Sequence, residues 1–123
     1  NLYPMTIPTK TLKTQRTIPL LGLGTWQLTG TECSDIVARA LDTGYRHIDT
    51  ADHYGNHQSI AEALNHSSVS RHDVYITTKI WRSDLHTQDI IDNTKRFLQE
   101  LQLDYLDLLL VHWPNSDIAI HFV

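Results

Sequence analysis

Three short runs of mainly apolar residues, each closing on a polar residue, divide the chain into repeating units. The runs cover residues 44–49, 74–79 and 106–112, and they end at Asp49, Lys79 and His112. The second run is rich in β-branched and aromatic residues, and the third is apolar nearly throughout, as expected of a strand buried on both faces. The pattern predicts parallel strands whose carboxyl ends meet at one edge of a sheet.

Between these runs, apolar residues recur with the spacing of amphipathic helices. The first helix is predicted between Thr31 as its cap and Gly44 as its stop, with an apolar stripe formed by Ile36, Val37, Ala40 and Leu41. The second begins at Asn56, and the third takes Thr87 as its cap. The third has the clearest apolar stripe, formed by Ile90, Ile91, Thr94, Phe97, Leu98 and Leu101. Strands alternating with helices predict β-α-β units with right-handed crossovers.

The amino-terminal segment has a different pattern. Residues 6–18 alternate apolar and polar positions around a polar turn at 13–16, which predicts a β-hairpin. Residues 20–24 then form the first strand of the parallel sheet, and their glycines leave room for a flat ligand near the backbone. We interpret the chain as a single partial domain, with a hairpin at 5–18, four strands and three helices at 19–114, and a short tail at 115–123.

Composition and charge narrow the class of function. The chain has 123 residues and a formal charge of −4, with a fifth of its residues charged and no basic cluster. Nucleic acid and anionic membranes are therefore poor candidates as partners, and a small molecule is the better one. The single cysteine, Cys33, excludes an internal disulfide, and no leader or long apolar run is evident. These features favour the cytoplasm.

Eight histidines raise the question of a metal site. His53 and His57 have the i, i+4 spacing that lets two side chains share a helical face. However, no acidic residue or cysteine completes a zinc set, and His53 falls in a predicted loop. We therefore interpret both as solvated surface histidines and predict no metal.

Four motifs occur in an order and spacing that resemble a known family. They are Gly-Leu-Gly-Thr-Trp at 22–26, Tyr-Arg-His-Ile-Asp-Thr-Ala at 45–51 with Tyr-Gly-Asn at 54–56, Ile-Thr-Thr-Lys-Ile-Trp at 76–81, and Leu-Asp-Tyr-Leu-Asp at 103–107 with Val-His-Trp-Pro at 111–114. Over residues 18–114 the chain resembles the aldo-keto reductases, most closely the bacterial 2,5-diketo-gluconate reductase type.

The resemblance implies a (β/α)8 TIM barrel, of which this chain would supply the amino-terminal half. A complete barrel needs about 250 residues, so we interpret the chain as an amino-terminal fragment with about four parallel strands and three helices after a hairpin. Met5 is the expected natural start, and residues 1–4 are interpreted as a leader or remnant.

The resemblance also implies a catalytic role for four residues. Tyr54 would be the general acid, Lys79 and Asp49 would tune it, and His112 would orient the substrate carbonyl. A cation beside the phenol stabilises the phenolate that remains after proton transfer. Without the family, the Asp–Lys pair is as readily a structural ion pair, the tyrosine a packing residue and the histidine a strand cap.

The same resemblance implies NADPH as cofactor and a small carbonyl compound as substrate. The predicted neighbours of the nicotinamide are Gly24, Thr25, Trp26 and Asp49. The predicted walls of the substrate pocket are Trp26, Trp81, His112 and Trp113, with Asp52 and His53 as further candidates. No Gly-rich phosphate loop is present, because residues 22–26 lack the third glycine of a Rossmann turn. His57 stands where the family often has Glu, and Ala61 where it often has Gly, and neither is expected to touch the four catalytic residues.

Three functions follow from these observations. The leading one is NADPH-dependent reduction of aldehydes or ketones to alcohols, with the complete protein a monomer and the fragment alone inactive. The first alternative is a catalytically inactive half-barrel that self-associates through the unpaired edges of its first and fourth strands. The second is a binding or regulatory subunit of the same fold, since a fold and its pocket can be retained after catalytic activity is lost.

Overall fold

The computed structural model describes residues 6–118 and begins with the predicted hairpin. Strand β1 (Thr9–Thr11) pairs with β2 (Thr17–Pro19) in antiparallel register. Gln15 takes a positive φ of 66° in the turn, which lets the chain reverse between them. Met5, the predicted start of the hairpin, lies outside the described residues.

A four-stranded parallel sheet with three helices forms the body of the structure, as the alternating pattern predicts. The strand order is the order of the sequence, which is the result of successive right-handed crossovers. The strands are β3 (Leu23–Gly24), β4 (His47–Asp49), β5 (Tyr75–Ile80) and β6 (Leu108–Val111). The helices are α1 (Gly30–Thr43), α2 (His57–His66) and α3 (Thr87–Leu101).

The helices pack against one face of the sheet and bury the core there. Ile48 and Ile76, which are partners in the β4–β5 register, are fully buried among apolar residues of the helices. Ile80 lies on the same face and packs with Phe97 of α3. Because side chains alternate along a strand, the residues between these isoleucines project from the other face.

Strand register determines which polar residues meet. Asp49 pairs with Gly24 on one side and with Thr77 on the other. Lys79 lies two residues beyond Thr77 and therefore projects from the same face as Asp49. The carboxyl ends of β3, β4, β5 and β6 consequently form one edge.

Two of the predicted helix boundaries are wrong. Helix α1 begins at Gly30 with Thr29 at the cap position instead of Thr31, and α3 has His86 at the cap position instead of Thr87. Neither cap residue makes a side-chain capping hydrogen bond. The predicted threonines lie inside the helices instead of preceding them.

The predicted burial of the fourth strand on both faces is also wrong. Strand β6 is half exposed, with Leu110 and Val111 showing 39% and 40% of their surface. In the described part of the chain it is an edge strand that pairs with β5 alone, so its other edge is open. In the third helix, Ile91 of the predicted apolar stripe is 42% exposed. None of the helices between residues 6 and 118 is both long and apolar enough to cross a membrane.

Candidate active site

Lys79 lies at the centre of the polar cluster at the carboxyl edge of the sheet. Its Nζ donates to Asp49 Oδ2 at 2.8 Å and to the Thr50 carbonyl oxygen at 2.9 Å. The third contact of Nζ is with the hydroxyl oxygen of Tyr54, at 3.3 Å. An ammonium group has three hydrogens, so two hold it in the sheet and one reaches the phenol. The lysine side chain is only 14% exposed, which limits screening of its charge by water.

Tyr54 is held over Lys79 by a short 3-10 helix, Asp52–Tyr54, that directly follows β4. The Tyr54 amide donates to the Ala51 carbonyl, and the Gly55 amide donates to the Asp52 carbonyl. Gly55 then takes a φ of 63°, a left-handed conformation that costs glycine little. This tight turn brings the phenol back to the strand edge, with its ring centroid 4.9 Å from Lys79 Nζ.

His112 follows β6, and its ring stands 5.6 Å from the ring of Tyr54 at an angle of 82°. Its backbone amide donates to the Ile80 carbonyl, which continues the pairing of β5 with β6. Burial lowers the pKa of His112, the charges of Lys79 and His53 lower it further, and Asp49 opposes them. The ring is therefore neutral at neutral pH and has one N–H to donate. Its Nδ1 atom is buried and has no hydrogen-bond partner among the described residues.

An aromatic cavity of about 400 Å³ lies beside these polar groups. His53 stacks on Trp81 with ring centroids 3.9 Å apart, and Trp81 meets the ring of His112 edge-on at 5.3 Å. The cavity is lined by Trp26, His53, Tyr54, Trp81, His112 and Trp113. All the residues predicted to form substrate-pocket walls thus meet at one place, and His53 joins them.

Asp52 does not line this cavity, contrary to its place among the further candidates. Its carboxylate accepts a hydrogen bond at 2.9 Å from Arg96 of α3. The 3-10 helix carries Asp52 toward the helical layer and Tyr54 toward the sheet edge. Sequence spacing alone does not distinguish these two directions.

The residues predicted to neighbour a nicotinamide differ in how much surface they offer. Gly24 faces open space, because a Cβ added there would meet nothing within 4 Å. Trp26 is 67% exposed and the carboxylate of Asp49 is one-third exposed. Thr25 is fully buried, and its hydroxyl donates to the Asp49 carbonyl at 3.0 Å. Gly24, Trp26 and Asp49 therefore fit contact with a flat ligand, whereas the geometry gives no support to such a contact for Thr25.

Asn56 is a structural residue of the site that the sequence analysis did not single out. Its amide nitrogen donates to the carbonyl oxygens of Thr25 and Leu28, both at 3.0 Å, and its carbonyl oxygen accepts from the Thr50 hydroxyl at 2.6 Å. It thereby joins the loop that carries Trp26 to the end of β4. Its place directly after Tyr54-Gly55 was the available signal, since a side-chain amide near a tight turn often satisfies backbone groups.

The prediction that His57 is a solvated surface histidine is wrong. Its side chain is 3% exposed, with Nε2 at 2.8 Å from the Thr78 hydroxyl and Nδ1 at 2.8 Å from a carboxylate oxygen of Glu100. The first residue of α2 points inward between β5 and α3, which the i, i+4 spacing to His53 did not reveal. His57 therefore contacts the residue that directly precedes Lys79 on β5.

Comparison with known proteins identifies the family of the chain. The aldo/keto reductase family model matches residues 20–121. The chain belongs to the aldo-keto reductase family. It is 46% identical over 112 residues to aldo-keto reductase family 1 member A1 of Xenopus tropicalis, covering 87% of this chain and 34% of that protein. It is also 46% identical over 100 residues to methylglyoxal reductase DkgA of Yersinia pestis, covering 81% and 35%.

Solved structures of family members superpose well on the fold. A crystal structure of an aldo/keto reductase from Brucella melitensis has a TM-score of 0.86 at 44% identity, covering 89% of this chain and 42% of that one. An aldo-keto reductase of Bombyx mori in complex with NADP has a TM-score of 0.83 at 28% identity, covering 97% and 43%. The predicted fold, with the strands and helices of the first half of a TIM barrel, is confirmed. The chain spans about a third of the length of the curated relatives that it matches.

Proposed function

We propose that the protein containing this chain reduces aldehydes or ketones to alcohols with NADPH. One observation carries the proposal: Lys79 Nζ contacts Asp49, the Thr50 carbonyl and the Tyr54 hydroxyl at the mouth of an aromatic cavity. A structural ion pair needs only the contact between Lys79 and Asp49. The contact with a partly exposed phenol is the one that suits proton transfer.

In this proposal Tyr54 donates its hydroxyl proton to the carbonyl oxygen of the substrate, which becomes the alcohol. The phenolate that remains lies beside the Lys79 ammonium, and this charge pairing stabilises it. Asp49 and the Thr50 carbonyl hold the ammonium in place, so that little reorganisation is needed when the charge forms. Positioned general acids of this kind contribute about 10²–10⁴-fold to rate.

The cofactor would supply the hydride that the carbonyl carbon accepts. Gly24, Trp26 and Asp49 are the described residues with surface at this edge that would hold its nicotinamide end. The relative of Bombyx mori is in complex with NADP, which supports a nicotinamide cofactor. NADPH in preference to NADH is part of the proposal and rests on the family alone.

The aromatic cavity would bind the substrate. Three tryptophans supply its apolar walls, and neutral His112 would donate its one N–H to orient the carbonyl oxygen. Relatives named methylglyoxal reductases support a small aldehyde as substrate. The apolar walls suit aromatic aldehydes as well.

The test uses a completed barrel, which we define as this chain joined to the remaining residues of the Yersinia pestis relative. NADPH oxidation is followed with methylglyoxal and with an aromatic aldehyde. We expect Tyr54→Phe to lower kcat by about 10²-fold or more, because only the proton donor is lost. Lys79→Met should approach the same loss. Binding of NADPH, measured by fluorescence, should stay close to that of the wild type.

Tyr45→Phe is the matched control, because it removes the same hydroxyl from a residue at the opposite end of β4. It should keep wild-type kcat. Turnover by Tyr54→Phe close to that of the wild type would show that Tyr54 is not the acid. A wild-type completed barrel that binds NADPH but reduces neither aldehyde would overturn the proposed reaction.

A second candidate function is a catalytically inactive association or regulatory module of the same fold. The half-exposed strand β6, with Leu110 and Val111 at its surface, favours this candidate because the open edge of an apolar edge strand attracts a partner. The two functions differ in the completed barrel, since only the first predicts a turnover that depends on Tyr54.

A further inference from the structure

A polar network, buried at His57 and Thr78 and partly exposed at Glu100 and Arg96, connects the back of the candidate active site to helix α3. Its centre is His57, the first residue of α2, which contacts Thr78 on β5 and Glu100 on α3 at 2.8 Å each. The ring also meets Phe97 edge-on at 5.2 Å. A buried ring that contacts three elements at once leaves them little freedom to move separately.

The network continues from Glu100 to the helix that carries Tyr54. Arg96 donates to Glu100 Oε1 at 2.8 Å and to Asp52 Oδ2 at 2.9 Å. Asp52 is the first residue of the 3-10 helix that ends at Tyr54. One chain of contacts therefore runs from the residue before Lys79 to the segment that presents the phenol.

The protonation pattern of the network follows from its partners. The contacts with Arg96 and His57 hold the pKa of Glu100 below its usual range although burial opposes them, so its carboxylate can only accept. His57 Nδ1 must then carry the hydrogen, and Nε2 accepts from the Thr78 hydroxyl. Burial lowers the pKa of His57, while Glu100 and Asp52 raise it and Arg96 lowers it, so the net result is a neutral ring.

We propose that His57 is a positioning residue for the Tyr54–Lys79 pair, because it fixes Thr78 beside Lys79 and, through Glu100 and Arg96, the Asp52 end of the helix that presents Tyr54. This inference rests on the proposed function for its effect on turnover. The position of the pair itself is a structural property that does not depend on that function. The observed Lys79 Nζ to Tyr54 hydroxyl distance of 3.3 Å is its direct measure.

The decisive variant is His57→Phe in the completed barrel. It keeps a flat ring beside Phe97 and removes both nitrogens, so Thr78 loses its side-chain contact with His57 and Glu100 keeps only its contact with Arg96. We expect kcat to fall about tenfold or more with KM nearly unchanged, because a distant mutation that misplaces the reacting groups by about 1 Å costs up to about 10²-fold. His57→Gln retains a donor and an acceptor and should recover most of the lost kcat.

His66→Phe is the matched control, since it makes the same substitution at an exposed residue on the same helix. It should leave kcat unchanged. All kinetics are measured well below the thermal midpoint of each variant, so that unfolding does not enter kcat. Nitrogen chemical shifts of the wild-type ring should show the hydrogen on Nδ1 of His57.

A crystal structure of His57→Phe provides the readout that is independent of turnover. We expect the Tyr54 hydroxyl and Lys79 Nζ to separate from their hydrogen-bonding distance. A His57→Phe variant with wild-type kcat and an unchanged Tyr54–Lys79 distance would overturn the inference. Failure of the proposed function gives a different pattern, in which Tyr54→Phe keeps turnover or the wild type has none, while the crystal structure still decides the role of His57.

Discussion

Replacing Asn56 with alanine tests whether one buried amide holds the active-site loops together. The residue is 1% exposed and lies between the loop after β3 and the end of β4. Its amide nitrogen lies within hydrogen-bonding distance of the Thr25 carbonyl, the Thr25 hydroxyl and the Leu28 carbonyl, and its oxygen accepts from Thr50. Alanine removes all of these contacts and leaves buried polar groups behind.

The expected loss follows from counting hydrogens instead of contacts. An amide nitrogen has only two hydrogens for its three acceptors, so with the Thr50 contact the side chain makes about three hydrogen bonds. Each contributes about 0.5–1.5 kcal/mol net, and a buried group left without a partner costs about 1–3 kcal/mol. We therefore expect Asn56→Ala to lower the free energy of unfolding by about 3 kcal/mol.

The measurement is urea denaturation of the completed barrel at one protein concentration, because association would add a concentration-dependent contribution. Asn65→Ala is the matched control. Asn65 is exposed and makes one side-chain hydrogen bond, to Gln102 at 2.8 Å, so its loss should stay within about 0.5 kcal/mol. Equal losses for the two variants would show that the buried network around Asn56 does not stabilise the fold as argued.

Two further predictions concern acid stability and the chain on its own. Burial lowers the pKa of His47, His57 and His112 from the ordinary 6.5. Below pH 6.5 the unfolded chain therefore binds more protons than the folded chain. The free energy of unfolding should be fully present above pH 6.5 and should fall as pH drops from 6.5 toward the lowered pKa values. Denaturation at several pH values measures this, and greater stability on acidification would contradict it. The isolated 123-residue chain should sediment as an associated species, because Leu110 and Val111 are exposed on an edge strand that has β5 as its one neighbour among the described residues. It should also show no saturable NADPH binding by fluorescence at micromolar concentration. A sharp monomer peak or micromolar binding would contradict these expectations.

Periodicity predicted the parts of the structure that depend on local pattern. Runs ending at Asp49, Lys79 and His112 became strands or strand ends in one sheet, and the helices between them have the expected order. Parallel topology then brings strand ends together whatever the details of the loops. The sequence alone therefore groups the catalytic candidates at one edge of the sheet.

The predictions that were wrong depend on tertiary packing instead of local pattern. His57 was expected at the surface, and strand β6 was expected to be covered on both faces. Both outcomes depend on what packs against the residue from a distant part of the chain, which periodicity does not report. A histidine at the start of a helix is equally compatible with solvent and with a buried pair of hydrogen-bond partners, and here Glu100, 43 positions away, decides between them.

Register gives the catalytic candidates their common face, and this makes the site sensitive to residues behind the sheet. The pairing of Asp49 with Thr77 puts Lys79 on the face of Asp49 and Tyr54, while Thr78 projects toward the helices. A slip of one residue would exchange the two directions and take the lysine away from its partners. Strand β5 is held in this register by β4 and β6 at its two edges and by the contact of His57 with Thr78 on the face toward the helices. His57 does not contact the substrate, yet through Thr78 it helps to fix the distance between Lys79 Nζ and the Tyr54 hydroxyl. Its short contacts with Thr78 and Glu100 are the physical reason to expect that its replacement lowers kcat.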